Sequence, residues 1–269
     1  MSSLMVYATQ FDIAWEDKSA NHRRVEGLLD LADPPAGSLI VLPELFDVGF
    51  SMDVDRMSEE ATNEQSENWC STIARRLGVY VQGASIRQRD GKGSRGTNNA
   101  VVFDPAGHEV CRYEKVFPFS GSRETEAYRG GQRLATFDWN GMRVCPLICY
   151  DLRFPELWRL AVLDHGVEMF TIGASWPAVR HGHWLRLLEA RAIENQAWVV
   201  GVNRCGQDPN LGYKGGSRII DPQGKVLAEA DAHTEMIHHV VDPCAASAWR
   251  GAFAALKDAR REMLGGLLG

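Results

Sequence analysis

The chain has 269 residues and a hydrophobic fraction of 45%, enough for one large packed α/β domain, and no linker or low-complexity stretch divides it. Its formal net charge is −6, with no basic block or basic-aromatic stripe, so nucleic acid is not expected as a partner. No run of about 18 apolar residues is available to span a bilayer, and the amino terminus opens on a strand-like segment instead of a charged leader. The expectation is a cytoplasmic protein without a membrane partner.

Taken in order, the pattern predicts a strand at 4–11, a helix near 20–32 and a strand at 39–43. That last strand lies within Leu39-Ile40-Val41-Leu42-Pro43-Glu44-Leu45-Phe46 and ends on a carboxylate. Alone, Glu44 reads as a solvated strand terminus. A helix near 64–77 and a strand at 79–86 follow, then a loosely specified stretch from Gln88 to Thr97 and a hairpin at Asp104-Pro105-Ala106-Gly107. The next segment, Arg112-Tyr113-Glu114-Lys115-Val116-Phe117-Pro118-Phe119, sets a lysine among aromatic and apolar residues; most such lysines snorkel to water.

The second half repeats this order. Asn140-Gly141, between Phe137 and Val144, favours a type I′ hairpin. An apolar, partly β-branched strand at 142–148 then runs into Cys149 and turns sharply toward a helix at 155–165, with Pro155 in its first turn. A cysteine at a strand's carboxyl end beside a helix start is where dipoles can favour thiolate, although a lone cysteine there is more often packing. Strands near 168–174 and 197–203, a helix at 181–196 and a hairpin at Asp221-Pro222-Gln223-Gly224 complete the pattern. In the 181–196 helix, Trp184, Leu187, Leu188, Arg191 and Asn195 mix core and polar positions, most of them for packing. Two similar halves of alternating strands and helices imply two sheets packed face to face.

Taken together, the Glu44, Lys115 and Cys149 segments resemble, in chain order and surroundings, the signatures of the nitrilase superfamily of carbon-nitrogen hydrolases. The likeness runs from about Met5 to about Asp258 and is closest to the omega-amidase branch, which removes the amide from omega-amides of dicarboxylic keto acids. Cys149-Tyr150-Asp151-Leu152-Arg153-Phe154-Pro155, Trp176-Pro177, His183-Trp184, the run from Ala190 to Ala197, and Asn203-Arg204 with the run from Gly215 to Gly224 carry it further. The resemblance implies an α/β four-layer αββα sandwich, a single domain over 1–269 with a core at about 4–242 and a tail at 243–269. It also implies a homodimer through the helix after Cys149 and the 181–196 region. The tail, including Trp249-Arg250-Gly251-Ala252-Phe253-Ala254, only loosely resembles the branch's ending.

By the same resemblance Glu44, Lys115 and Cys149 are catalytic, and Glu124 takes the place of a second active-site glutamate, with Glu126 as its competitor. Chemically, Glu44 would shuttle the Cys149 proton, while Lys115 and the backbone N–H of Tyr150 would meet the developing oxyanion. No cofactor is required. Trp176 and Arg180 are candidates for substrate binding, with Arg153 and Arg191 expected to form structural ion pairs and Cys145 to pack. The six cysteines, at 70, 111, 145, 149, 205 and 244, form no CxxC pair and are expected reduced. His181-Gly182-His183 is the one tempting metal cluster, without a suitably spaced partner. The competing functions are a true nitrilase, an N-carbamoyl amidohydrolase, an amidase of deaminated glutathione, an ammonia-feeding glutaminase module and a binding protein that keeps the fold without turnover.

Overall fold

The apolar runs fold into two six-stranded mixed sheets in the computed structural model, which describes residues 4–263. The first half supplies β1 (Leu4–Gln10), α1 (Lys18–Ala32), β2 (Leu39–Val41), a short α2 (Val54–Met57), α3 (Gln65–Leu77), β3 (Tyr80–Arg87), β4 (Thr97–Phe103) and β5 (Glu109–Glu114). Its first three strands run parallel, as crossovers through α1 and α3 require, and β4 and β5 return antiparallel. After the one-turn helix α4 (Glu124–Ala127) come β6 (Phe137–Trp139), β7 (Met142–Ile148), α5 (Pro155–His165), β8 (Met169–Ala174), α6 (His181–Asn195) and β9 (Trp198–Asn203). A separate ribbon of β10 (Cys205–Gln207) and β11 (Gly212–Lys214) intervenes before β12 (Arg218–Ile220) and β13 (Val226–Glu229) close the second sheet. Finally β14 (Glu235–Val241) crosses back to pair with β1, and α7 (Ala245–Ala252) follows.

Side-chain alternation then builds the layers. Along β1, Val6 and Ala8 face the other sheet while Tyr7 faces α1 and α3, the period of two expected for a strand covered on both faces. Val25 and Leu29 of α1 and Ile73 and Ala74 of α3 cover the first sheet. Trp158 and Ala161 of α5 and Trp184 and Leu188 of α6 cover the second. Between the sheets, Val6, Val41 and Val102 meet Val144, Met169 and Val200. This is the four-layer αββα sandwich expected from the sequence.

The repeat extends to single hydrogen bonds. In the hairpins after β4 and β12, Asp104 and Asp221 each accept two backbone N–H groups, from Ala106 and His108 and from Gln223 and Lys225. Each turn passes through a left-handed glycine, Gly107 at φ 80° and Gly224 at φ 88°. Asn140 and Gly141 both take positive φ, as a type I′ turn demands. The stretch from Gln88 to Thr97 is better tied than its composition suggests, because Asp55 accepts hydrogen bonds from the Gln88 side chain and the Gly93 N–H. The tail docks on the second half: Arg250 donates to the carbonyls of Val167, Asn195 and Gln196. Its glycine-rich end, from Gly265, lies outside the described residues.

Candidate active site

Four strands aim their carboxyl ends at one point. Glu44 follows β2, Lys115 follows β5, Cys149 follows β7 and Ser175 follows β8, so the cluster draws on both sheets. The sheets approach closely at Gly173 of β8, where a Cβ would stand 2.7 Å from the Leu42 carbonyl oxygen and 2.9 Å from the Glu44 nitrogen. Beyond β2 and β7 the backbone turns abruptly through left-handed conformations that bulky residues avoid, at Leu45 (φ 47°) and at Cys149 itself (φ 44°). Cys149 does not enter a helix directly. A 3₁₀ turn over Cys149–Arg153 intervenes, and α5 starts at Pro155, so the thiol lies beside a tight turn instead of an α-helix N-terminus.

Lys115 lies between two carboxylates. Its Nζ donates to Glu44 Oε1 at 2.7 Å and to Glu124 Oε1 and Oε2 at 2.7 and 2.9 Å. Glu44 also accepts from the Ser175 N–H at 2.9 Å and from Asn98 Nδ2 at 2.8 Å. Glu124 accepts from the Phe119 N–H at 2.6 Å. All three charged side chains are buried. Burial works against the Lys115 ammonium, but Glu124 and Glu44 more than offset it and hold the group above its ordinary range. Burial raises the Glu124 carboxyl, and Glu44 adds to that rise while Lys115 opposes it.

Cys149 lies among Glu44, Lys115 and Glu124, all of which act on its thiol. Burial, then the Glu44 charge, push the thiol well above its usual range, and Lys115 only partly reverses this. These surroundings thus favour the thiol over the thiolate and set it near the Glu44 carboxyl group. Such an arrangement can release the proton to the carboxylate as the sulfur attacks a carbon, with an ammonium already fixed beside the reacting centre.

Of the two later glutamates, Glu124 meets Lys115, whereas Glu126 is exposed and pairs with Arg123. Cys145 is fully buried within the core. Asn98 was not singled out by the sequence. It reaches Glu44 and, at 3.4 Å, Glu124, and its only sequence trace is a pair of asparagines inside the apolar strand β4.

Above Cys149 opens a cavity of about 180 Å³, lined by Phe50, Lys115, Phe119, Tyr150, Arg153, Ser175, Trp176 and Arg180 among others. It is smaller than the clefts that hold drug-sized ligands. Trp176 and Arg180 are thus where the sequence suggested. Arg153 corrects an expectation. Instead of an ion pair, its guanidinium lies over the Trp176 ring at 4.7 Å and beside Tyr150 at 5.9 Å, and bonds to His183 Nδ1 at 3.3 Å. Arg191 does pair, with Glu194 at 2.8 Å, and also caps the Leu152 carbonyl. Neither Arg153 nor Arg180 has a carboxylate within 4 Å among the described residues. His183 turns to Arg153 while His181 lies against Gly216.

A family profile described as carbon-nitrogen hydrolase matches residues 6–250. The chain is 36% identical to an omega-amidase of Escherichia coli (strain K12), over 96% of this chain and 98% of that protein. It is 31% identical to a 2-oxoglutaramate amidase of Bacillus subtilis, over 94% and 96%. Among solved structures, a CN-hydrolase superfamily protein from Xanthomonas campestris, carrying an arsenic adduct in its active site, superposes with a TM-score of 0.88 at 30% identity, with all of both chains covered.

Proposed function

Since this chain belongs to the carbon-nitrogen hydrolase family of the nitrilase superfamily, we propose that it is an omega-amidase, releasing ammonia from the terminal amide of short dicarboxylic keto acids. The observation that carries this reading is the cavity itself: the Cys149 sulfur at its floor, little room, and two guanidiniums on its wall that no carboxylate answers among the described residues. A partly buried cation without a counter-charge favours an anionic ligand. An acyl chain of a few carbons would set its amide at Cys149 and its distal carboxylate toward Arg180 and Arg153.

In this mechanism Glu44 accepts the Cys149 proton as sulfur attacks the amide carbon, and the carbonyl oxygen turns negative beside Lys115 and the Tyr150 N–H. Collapse expels ammonia, which leaves with the proton that Glu44 returns. Water then adds to the thioester, again giving its proton to Glu44, and the acid departs as the sulfur is reprotonated. Both Glu124 oxygens are engaged by Lys115, and one also accepts the Phe119 N–H, so Glu124 holds the ammonium in place beside the reacting centre. We propose further that the protein is cytoplasmic and forms a homodimer; Val179, Ile193 and Phe253, on or near α6 and the tail, are exposed apolar residues in keeping with that assembly.

The test is ammonia release from a panel containing α-ketoglutaramate, α-ketosuccinamate, glutamine, propionamide, a short nitrile and a carbamoyl amino acid. The keto-acid amides should give the highest kcat/KM, and glutamine should be poor because its α-ammonium would approach the two guanidiniums. Arg180→Ala should lower kcat/KM for the keto-acid amides far more than for propionamide. A maximum at the nitrile or the carbamoyl compound would remove the omega-amidase assignment.

A further inference from the structure

We propose that Asp151 is a positioning residue that locks the turn carrying Cys149 to the segment carrying Lys115, and that it does so only in its ionised form. The proposal rests on the reading of Cys149 as the nucleophile and Lys115 as its electrostatic partner.

Asp151 is completely buried, yet among the described residues it forms an ion pair with no cation. Its two oxygens instead gather three donors from three separate places. Oδ2 accepts the Ile148 N–H at 3.0 Å, at the end of β7 just before the nucleophile. The same oxygen accepts the Tyr113 hydroxyl at 2.8 Å, from β5. Oδ1 accepts the Phe117 N–H at 3.0 Å, two residues beyond Lys115. The chain from Phe117 continues to Phe119, whose N–H holds Glu124. One carboxylate therefore ties together the strands that deliver the sulfur and the ammonium.

The donor set dictates the charge state. Each oxygen already faces a backbone N–H, so a carboxylate satisfies all three donors, whereas a proton on either oxygen displaces an acceptor or lacks one itself. The titratable groups facing Asp151 are Tyr113 and, at longer range, Lys115 from the β5 segment and Cys145 from β7. Burial raises the carboxyl to about 7, with Lys115 and the hydrogen bonds from Tyr113, Ile148 and Phe117 pulling the other way. The lock is thus made above neutrality and loosens as the pH falls below it.

Two variants test this against wild type, with kcat/KM measured across pH on the best amide and Cys149 alkylation by iodoacetamide followed in parallel. In Asp151→Asn the amide nitrogen must face a backbone N–H whichever way it turns, and kcat should fall about 100-fold, the scale of a small misplacement of reacting groups, with KM within about threefold. Tyr113→Phe removes one donor to the charged form while keeping both backbone bonds. Its alkaline plateau should hold, while the acid limb of kcat/KM moves up by about one pH unit. An unmoved limb in Tyr113→Phe, or Asp151→Asn within about threefold of wild type in kcat, overturns the proposal. Should Asp151→Asn fail to fold, the limb of Tyr113→Phe alone decides. Failure of the underlying reading is a separate result: wild-type Cys149 would resist alkylation, or Cys149→Ala would still turn over.

Discussion

Two cysteines four residues apart on one strand and its following turn separate packing from chemistry. Cys145 is walled into the core, while Cys149 meets Glu44 and the cavity. Cys149→Ala should abolish ammonia release with the thermal transition nearly unchanged, and Cys145→Ala should keep most activity while losing stability; equal activity loss from both would break the assignment. Lys115→Ala should cost at least about 100-fold in kcat, the scale of removing an oxyanion donor, and a variant near wild-type rate would end its role. At this scale the local pattern alone reads Glu44 as a solvated strand terminus, Lys115 as a snorkelling side chain and Cys149 as packing, and it is the family resemblance of the three segments together that sets them apart. Asn98 escaped because its partners are 54 and 26 residues away. Arg153 escaped because nothing in the chain order says whether a guanidinium after a turn meets a carboxylate or an aromatic ring.

Elements place these residues, and their meeting depends on how closely two sheets approach. At Gly173 the sheets come close, with backbone atoms on the opposing side that cannot swing aside as a flexible side chain would. Gly173→Ala should therefore destabilise the protein by about 1–3 kcal/mol through overpacking and displace the Glu44 turn enough to lower kcat, both measurable by urea unfolding and steady-state kinetics. Full activity with an unchanged unfolding midpoint would contradict that geometry. The long strands and helices were readable within a residue or two, since their periodicities are set by burial on known faces: α5 falls on 155–165 and β7 on 142–148 as expected. What the pattern did not name are β14 and α7, and the short pieces α2, α4 and the β10–β11 ribbon. Tyr213 on β11 bonds to Asp208 and packs against the buried Arg204, a set of contacts without period.

At the scale of the whole molecule, the exposed apolar residues around α6 and the tail make assembly the next measurable property. Light scattering coupled to gel filtration should give twice the chain mass at micromolar concentration, and a monomer there would remove the dimer from the proposal. The internal repeat was visible in the sequence as a recurring order of strands and helices, but the pairing of β14 with β1 was not, because an edge strand carries no mark of a partner more than 200 residues away. That pairing joins Leu4 to Val241 and Gln10 to Glu235 across seven residue pairs. A chain emerging from the ribosome has therefore already exposed Glu44, Lys115 and Cys149 while the outer edge of its first strand is still bare. That edge is a template for any neighbouring strand until β14 is made. Nascent or truncated copies that stop before residue 235 carry the chemistry without the seal, and they are the forms in which this fold is open to pairing with the wrong chain.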